Sequence, residues 1–138
     1  MFKKIATILT AWFCLMGVWV VNNKPIFSAF SSEYEVYSFQ NGSNGKIQTA
    51  HANDYIGYTF KYGEACVIDL ADFGEKSFLE YYGATIVFLE QTCYGTSLYG
   101  YSPKIKYSTV IKGQKINLHV FICENYVKVG SPIIFGSY

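Results

Sequence analysis

The first feature of the hydrophobic pattern is an uncharged apolar run near the amino terminus. Lys3 and Lys4 come directly before it, and residues 5–21 then carry no charged side chain. A basic start followed by an apolar run is the layout of a secretory signal or a signal anchor. The alternative, a buried core helix, is disfavoured because the run lacks helix caps and an amphipathic period.

The position of this run divides the chain into a leader and a body. Residues 1–31 are predicted to be a signal peptide, or an N-terminal membrane anchor with its tether, and residues 32–138 a single small domain. Ala29 and Ser31 are small residues at the positions that a signal peptidase requires, so cleavage after Ser31 is one option. Retention is the other. The lysines before the run place the body outside the cytoplasm in either case.

From residue 33 onward, apolar and polar residues alternate with the period of two that is typical of β-strands. Asn and Gly at residues 41–45 predict a tight turn, because both adopt positive φ at little cost. A second short turn is expected at residues 62–64. Residues 84–91 contain a continuous apolar run and are expected to form a central, buried strand. The predicted strands cover residues 33–39, 46–50, 55–62, 65–70, 84–91, 96–102, 107–111, 115–122 and 126–130.

One segment of the body has a helical pattern. Asp72 is expected to cap its start, with Glu75 three residues later as in a capping box, and Gly83 is suited to end it. Its apolar face consists of Phe78, Leu79 and Tyr82. The predicted fold class is therefore α+β, with an antiparallel sheet covered by one main helix and preceded by an N-terminal hydrophobic helix.

Charge and composition exclude one class of partner. The chain has no Arg, and the residues after position 31 include eight lysines against ten Asp and Glu, a net charge of −2. A nucleic-acid partner is not expected, because such proteins present a basic face in which Arg binds phosphate and guanine. A mildly acidic body is also a poor match for anionic lipid headgroups. All 13 tyrosines follow residue 31, and tyrosine favours half-buried strands.

Three cysteines lie outside the leader. Cys93 and Cys123 are each predicted at the turn of a hairpin, so a disulfide between them is possible in an oxidising compartment. The alternative, which we favour, is that these two and Cys66 are small buried apolar residues. None has the C-x-x-C spacing of a redox or zinc site.

The remaining candidates for chemistry are dispersed along the sequence. His119 is predicted on the sheet face opposite the apolar stripe and His51 in a loop, and two histidines alone define neither a triad nor a metal site. The carboxylates considered for glycoside hydrolysis are Asp69, Asp72, Glu80 and Glu90. The tyrosines considered as an aromatic platform are Tyr94, Tyr99 and Tyr101, although sheet packing explains them equally. No catalytic, cofactor-binding or metal-ligating residue is assigned, and no cofactor is expected.

The last third of the chain carries a family resemblance. The segments that carry it are Tyr99-Gly100-Tyr101-Ser102-Pro103-Lys104-Ile105, then Lys112-Gly113 with Ile116-Asn117-Leu118-His119-Val120, then residues 127–134 and 136–138. These segments resemble the C-terminal region of the YwmB-like proteins, which are small exported proteins of low-GC Gram-positive bacteria with a TATA-box-binding-like fold. The resemblance covers roughly residues 75–138 and implies export and an α+β fold. It implies no DNA binding, since a fold does not fix a function.

Three functional hypotheses follow. The leading one is a noncatalytic, extracytoplasmic interaction module at the cell envelope, secreted or held on the membrane by residues 5–21, with a protein or cell-wall partner. The second is a small envelope hydrolase that uses Cys or carboxylate chemistry. The third is a structural partner of a membrane complex, in which the leader helix itself makes the contact.

Overall fold

The computed structural model describes residues 1–22, 24–39, 45–51 and 61–136. Within these ranges the elements are α1 (Phe2–Asn22), β1 (Glu33–Phe39), β2 (Gly45–His51), β3 (Lys61–Asp69), a 3₁₀ turn (Leu70–Asp72), α2 (Glu75–Tyr82), β4 (Thr85–Thr92), β5 (Gly95–Tyr101), β6 (Thr109–Ile111), β7 (Gln114–Ile116), β8 (Leu118–Ile122) and β9 (Tyr126–Ser131). The predicted α+β class, with more sheet than helix, is confirmed.

Helix α1 is long and apolar enough to cross a membrane. Its 21 residues give a length of about 31 Å, close to the roughly 30 Å of a bilayer's hydrocarbon core. None of the apolar stretch Phe2–Trp19 is buried against the body, so α1 does not serve as a core helix of this domain. The N-terminal apolar helix fits a signal peptide or a membrane anchor.

Seven strands form one antiparallel sheet in the order β2-β1-β3-β9-β8-β5-β4, and β6 and β7 form a separate hairpin. At one end of the sheet, β3, β4 and β8 begin while β5 and β9 finish; we call this the tether end. The opposite end carries the turns that join β4 to β5 and β8 to β9, and we call it the turn end. The seven residue steps of β4 separate the two ends by about 23 Å.

One face of the sheet and helix α2 enclose the hydrophobic core. Strand alternation directs every second residue toward α2, and on the helix Phe78 and Tyr82 are buried with Leu79 packed beside them. Gly83 ends α2 in the left-handed conformation, with φ of 58°, as predicted. The sheet's contribution to the core is Tyr34, Val36, Cys66, Ile68, Leu98, Leu118, Val120, Val127 and Val129.

The segment between α1 and β1 belongs to this core. Phe27 is fully buried, with its ring 5.8 Å from that of Tyr82 in an edge-to-face contact. The backbone N–H of Phe27 donates to the carboxylate of buried Glu64 at 3.1 Å, and the Tyr82 hydroxyl donates to the carbonyl of Ile26 at 2.9 Å. Phe30 packs on Phe78, with ring centroids 4.9 Å apart. Residues 26, 27 and 30 therefore pack with the body, although they precede residue 32, where the sequence predicts that the domain starts.

The chain after β9 covers part of the other sheet face. Phe135 packs edge-to-face on Tyr37 with ring centroids 4.9 Å apart, and its N–H donates to the Tyr37 hydroxyl at 3.1 Å. The N–H of Ile134 donates to Nδ1 of His119 at 3.2 Å. Most residues of β8 and β9 are therefore buried on both faces of the sheet.

Two local predictions made from the sequence are wrong. Asp72 does not cap α2, because it ends the 3₁₀ turn and the N-cap is Gly74, which makes no side-chain cap hydrogen bond. Residues 62–64 do not form a turn; they lie inside β3. Gly63 fits there because a Cβ at this position would collide with the carbonyl oxygen of Ser131.

Two further strand predictions need correction. Residues 84–91 correspond to β4, which lies at the edge of the sheet and is only partly buried, because it pairs with β5 alone. The predicted strand 115–122 is broken at Asn117, whose buried side-chain amide donates to the carbonyls of Ser102 and Ile105. The predicted strand at residues 55–62 lies outside the described residues except for its last two positions, which belong to β3.

Replacing Phe27 by Ala should destabilise the full chain by roughly 3–5 kcal/mol, the usual cost of removing a buried aromatic ring. The Ser28→Ala variant is the matched control, because Ser28 is exposed one position along the same segment. Urea unfolding in detergent micelles, followed by circular dichroism, measures both. Equal midpoints for the two variants would show that the segment is not part of the core.

Candidate functional site

A groove lies at the turn end. It has a volume of about 620 Å³ and runs between the β4–β5 turn and the β8–β9 turn. Its lining consists of Thr92, Cys93, Tyr94, Phe121, Cys123, Glu124, Asn125 and Tyr126. The two turns lie side by side because β5 pairs with β8, and Thr96 lies opposite Ile122 in that pairing.

Local hydrogen bonds fix the shape of both turns. In the β4–β5 turn, the Thr92 hydroxyl donates to the carbonyl of Gly95 at 3.1 Å and accepts from the N–H of Tyr94 at 3.3 Å. In the β8–β9 turn, the N–H and the thiol of Cys123 both donate to the carbonyl of Tyr126, at 3.1 and 3.2 Å. Gly95 permits the close approach of the strands, since a Cβ would meet the carbonyl oxygen of Ile122.

The chemical character of the groove is aromatic with a polar rim. The side chain of Tyr94 is 80% exposed, whereas Phe121 is buried at the base of the groove. Glu124 and Asn125 are exposed at the opposite rim. An exposed ring beside an apolar base suits an apolar or aromatic group of a ligand, and the rim offers hydrogen bonds.

The structure brings Cys93 and Cys123 into this one groove. Both are free thiols, Cys93 exposed and Cys123 partly buried. A disulfide between them, considered from the sequence, stays a prediction. The preferred alternative of three buried thiols holds only for Cys66, which is 2% exposed. Burial and the nearby Glu64 raise the pKa of Cys66 far above its ordinary value, so it is a protonated, unreactive thiol at neutral pH.

The two histidines have different surroundings. His51, the last residue of β2, is exposed and lies 3.5 Å from the carboxylate of Glu33. His119 lies on the sheet face opposite α2, as predicted, and it is 1% exposed. Burial lowers the pKa of His119 from 6.5 to about 4, while Glu90 acts in the opposite direction. His119 is therefore neutral at pH 7, and its Nδ1 accepts from Ile134.

His119 is also separated from the cysteines. Cys66 points toward α2 and His119 toward the other face of the sheet, because Cys66 lies opposite Val129 and His119 opposite Gly130. Four strand residues, about 13 Å, separate His119 from Cys123. A Cys–His pair needs hydrogen-bond contact, and this histidine has none with either cysteine.

The candidate carboxylates are likewise dispersed. Glu90 forms an ion pair with Lys112 and accepts from the Tyr99 hydroxyl at 3.5 Å. The hydrogen bond from Lys112 is the main cause that lowers the pKa of Glu90, which makes it unsuited to donate a proton. Glu80 lies 4.0 Å from Lys76 on the exposed surface of α2. Asp69 and Asp72 are exposed at the turn end.

The three candidate tyrosines do not form one platform. Tyr99 is buried in a stack of rings, 4.5 Å from Phe88 on one side and 4.4 Å from His119 on the other. Tyr101 lies at the tether end beneath the ammonium group of Lys115. Of the three, only Tyr94 belongs to the turn-end groove.

Two smaller grooves flank the segment that enters β1. One, of about 310 Å³, lies between residues 31–35 and β3, and the other, of about 530 Å³, extends from residues 28–32 to Asp69 and Asp72. Among the described residues there is no group of three His, Cys, Asp or Glu side chains that could hold a metal ion. The tight turn predicted at residues 41–45 lies outside the described residues except for Gly45, which begins β2.

Comparison with known proteins found no matching family model, no matching curated protein and no matching solved structure.

Two buried charged groups were missed by the sequence analysis. Lys128 is almost completely buried in β9 and pairs with Glu35 of β1 at 2.9 Å, across the intervening strand β3. Glu64 is fully buried and accepts from Phe27. In the sequence, each of these residues is a charged side chain within an alternating strand pattern. Such a pattern usually means that the charged side chain faces solvent, so it does not reveal that the group is buried.

The stability of the protein should fall as the pH decreases from about 6.5 to 4. In this window unfolded chains bind a proton at His119 and the folded protein does not, which removes roughly 3 kcal/mol of stability. Carboxylates also titrate in this window, so the contribution of His119 must be isolated. The measurement is the dependence of the unfolding free energy on pH for the His119→Asn variant, with His51→Asn as the control. The asparagine at position 119 keeps an acceptor for Ile134 and should flatten the slope. An unchanged slope for His119→Asn would contradict the assignment.

Maleimide labelling should separate the two kinds of thiol in the body. Exposed Cys93 should react in the folded, reduced protein, whereas Cys66 should react only after unfolding, since burial keeps it protonated and inaccessible. Peptide mass mapping before and after urea treatment assigns each adduct. Rapid labelling of Cys66 under native conditions would be inconsistent with its place in the core.

Proposed function

We propose that this chain is a membrane-anchored, noncatalytic binding module that lies outside the cytoplasm at the cell envelope. The observation that carries the proposal is the groove at the turn end, where Tyr94 is exposed above buried Phe121. An exposed ring next to an apolar depression is a common basis for recognising a protein or peptide partner.

Anchoring is supported by the place of the linking segment in the core. Cleavage after Ser31 would remove Phe27 and Phe30, which pack on Phe78 and Tyr82. It would also take away the N–H that Glu64 binds and leave a buried carboxylate with one donor fewer, which is costly. Because the folded domain uses these residues, we expect the leader to remain attached. Lys3 and Lys4 before the apolar run favour placement of the body outside the cytoplasm.

A noncatalytic role is supported by the state of the reactive side chains in the described part of the chain. Cys66 and His119 are buried on opposite faces of the sheet, and Glu90 is ion-paired. A hydrolase needs a nucleophile or an acid next to a base in an accessible cleft. The turn-end groove offers thiols and one carboxylate but no histidine.

A second candidate role concerns α1 itself. Because none of its apolar stretch is buried by the body, its surface is available to lipid or to another transmembrane helix, as in a structural subunit of a membrane complex. Replacing residues 5–21 by an unrelated apolar span separates the two roles. Loss of co-purifying membrane proteins after this replacement supports the second role, and unchanged co-purification counts against it.

A photo-crosslinking amino acid at Tyr94 should form a discrete adduct in intact cells. The same amino acid at Val110, which is 66% exposed in the β6–β7 hairpin, is the matched control and should not form that adduct. The adduct should disappear when Asn125 and Tyr126 on the facing turn are both replaced by Ala, because the groove then loses one wall. Equal adducts from both positions, or no adduct from Tyr94, would contradict a groove-centred function.

A further inference from the structure

The distance between helix α1 and the folded body has an upper limit. Ile26 is held by Tyr82, and Phe27 is held in the core and by Glu64. From the end of α1 at Asn22 to Ile26 there are four residue steps, which span at most about 14 Å. If α1 crosses a bilayer, the attachment point on the body lies close to the headgroup layer.

The attachment point is at the tether end of the sheet. Glu64 lies opposite Ser131, the last residue of β9. Tyr82 is the last residue of α2 and is followed within three positions by the start of β4. The turn end, with its groove, is about 23 Å further along the strands.

Lysines gather at the tether end. Lys24 is exposed two positions before Ile26, and Lys61 is the first residue of β3. The ammonium group of Lys104 donates to the carbonyl of Tyr81 at 2.9 Å, which places it beside the end of α2. Lys106 is exposed in the same loop and near enough to Lys61 to contribute to lowering its pKa, an effect due mainly to burial.

Carboxylates gather at the turn end. Exposed acidic residues lie at the start of β1, at the end of β3, between β3 and the first turn of α2, and in the β8–β9 turn. These residues are Glu33, Asp69, Asp72, Glu75 and Glu124. Residues 32–138 carry a net charge of −2, but their exposed charges are unevenly distributed along the strand axis. Lys76 beside Glu75 at the turn end and Glu80 beside Tyr81 at the tether end are among the exceptions.

The tether end also presents an aromatic side chain of the kind that prefers a membrane interface. Tyr81, the residue before the end of α2, is 56% exposed. Tyrosine is enriched at the headgroup level of membranes, where its ring is partly in hydrocarbon and its hydroxyl in water. Lysine side chains close to an anionic surface add electrostatic attraction.

We infer that the tether end docks on the anionic headgroups of the bilayer that α1 spans, through Tyr81, Lys24, Lys104 and Lys106. The acidic turn end then points away from the membrane, and the groove is presented to partners at a fixed height above it. This inference rests on the proposed membrane anchoring and adds an orientation and a lipid-binding surface to it.

The test uses the full chain in vesicles made of equal parts phosphatidylcholine and phosphatidylglycerol. Both native tryptophans, Trp12 and Trp19, are in α1; they are replaced by Phe, and one tryptophan is introduced by Tyr81→Trp or, as the matched control, by Tyr94→Trp. Lipids with a nitroxide on the headgroup quench nearby tryptophan. We expect strong quenching at position 81 and little at position 94.

Charge and salt dependence identify the lipid contact. Replacing Lys104 and Lys106 by Gln, or omitting phosphatidylglycerol, should lower the ratio of docked to undocked body by roughly tenfold or more, and high salt should weaken docking. Lys112→Gln is the control, because Lys112 pairs with Glu90 away from this end. If Tyr81→Trp alters the unfolding midpoint, the tryptophan is introduced at Pro103 instead. Pro103 is exposed in the loop that carries Lys104 and Lys106.

The outcomes separate this inference from the proposed function. If the protein floats with the vesicles after an alkaline wash but neither position is quenched, or position 94 is quenched more strongly, the docking surface is refuted and the anchoring stands. Quenching at position 81 that does not depend on phosphatidylglycerol refutes the role of the lysines. If the protein does not float with the vesicles, the anchoring fails and the docking surface with it.

Discussion

The structure depends on the burial of the segment that follows the apolar helix. The ring of Phe27 fills the space between α2 and the sheet, and its backbone N–H meets the carboxylate of Glu64, which is itself fully buried. A buried carboxylate is stable only if donors surround it, so the segment and the acidic side chain require each other. The hydroxyl of Tyr82 binds the neighbouring carbonyl of Ile26 and closes the same junction from the helix side.

This junction links folding to placement. A chain that uses residues 26–30 in its core cannot have a long flexible tether, and the body must lie near whatever surface holds α1. The sheet then acts as a rigid spacer whose antiparallel strands run from the tether end to the turn end. The two turns form their groove at the far end, where Gly95 allows β5 to approach β8 closely. The membrane placement that we propose and the position of the groove thus both rest on one packing arrangement.

Much of the architecture was predictable because it follows from side-chain periodicity. The alternation in β8 placed Leu118 and Val120 on the core face and His119 on the other, and Gly83 marked the end of α2. Phe27 was not predictable, because an aromatic residue after an apolar run looks the same in a flexible tether and in a core. The edge position of β4 was missed for a related reason. Its apolar run predicts burial on both faces, but β4 pairs with β5 alone and Leu89 is 58% exposed. Edge or centre depends on strand order rather than on local sequence.

The candidate site shows the same division. The sequence identified Cys93, Cys123 and Tyr94 as residues of interest, and hairpin turns brought them to one end of the sheet. It could not identify Phe121 as the base of their groove, since that requires knowing that β5 lies next to β8. The burial of His119 was missed because the covering residues, Ile134 among them, come from the chain after the last strand.

The most direct test of the account is the intact mass of the native protein, measured separately in the membrane fraction and in the medium. Because residues 26–30 are part of the folded core, we expect the full-length chain with residues 1–31 attached, and we expect it in the membrane. A mass lacking residues 1–31, found on a folded protein in the medium, would contradict the account, since the body would then be stable without Phe27 and free of the bilayer.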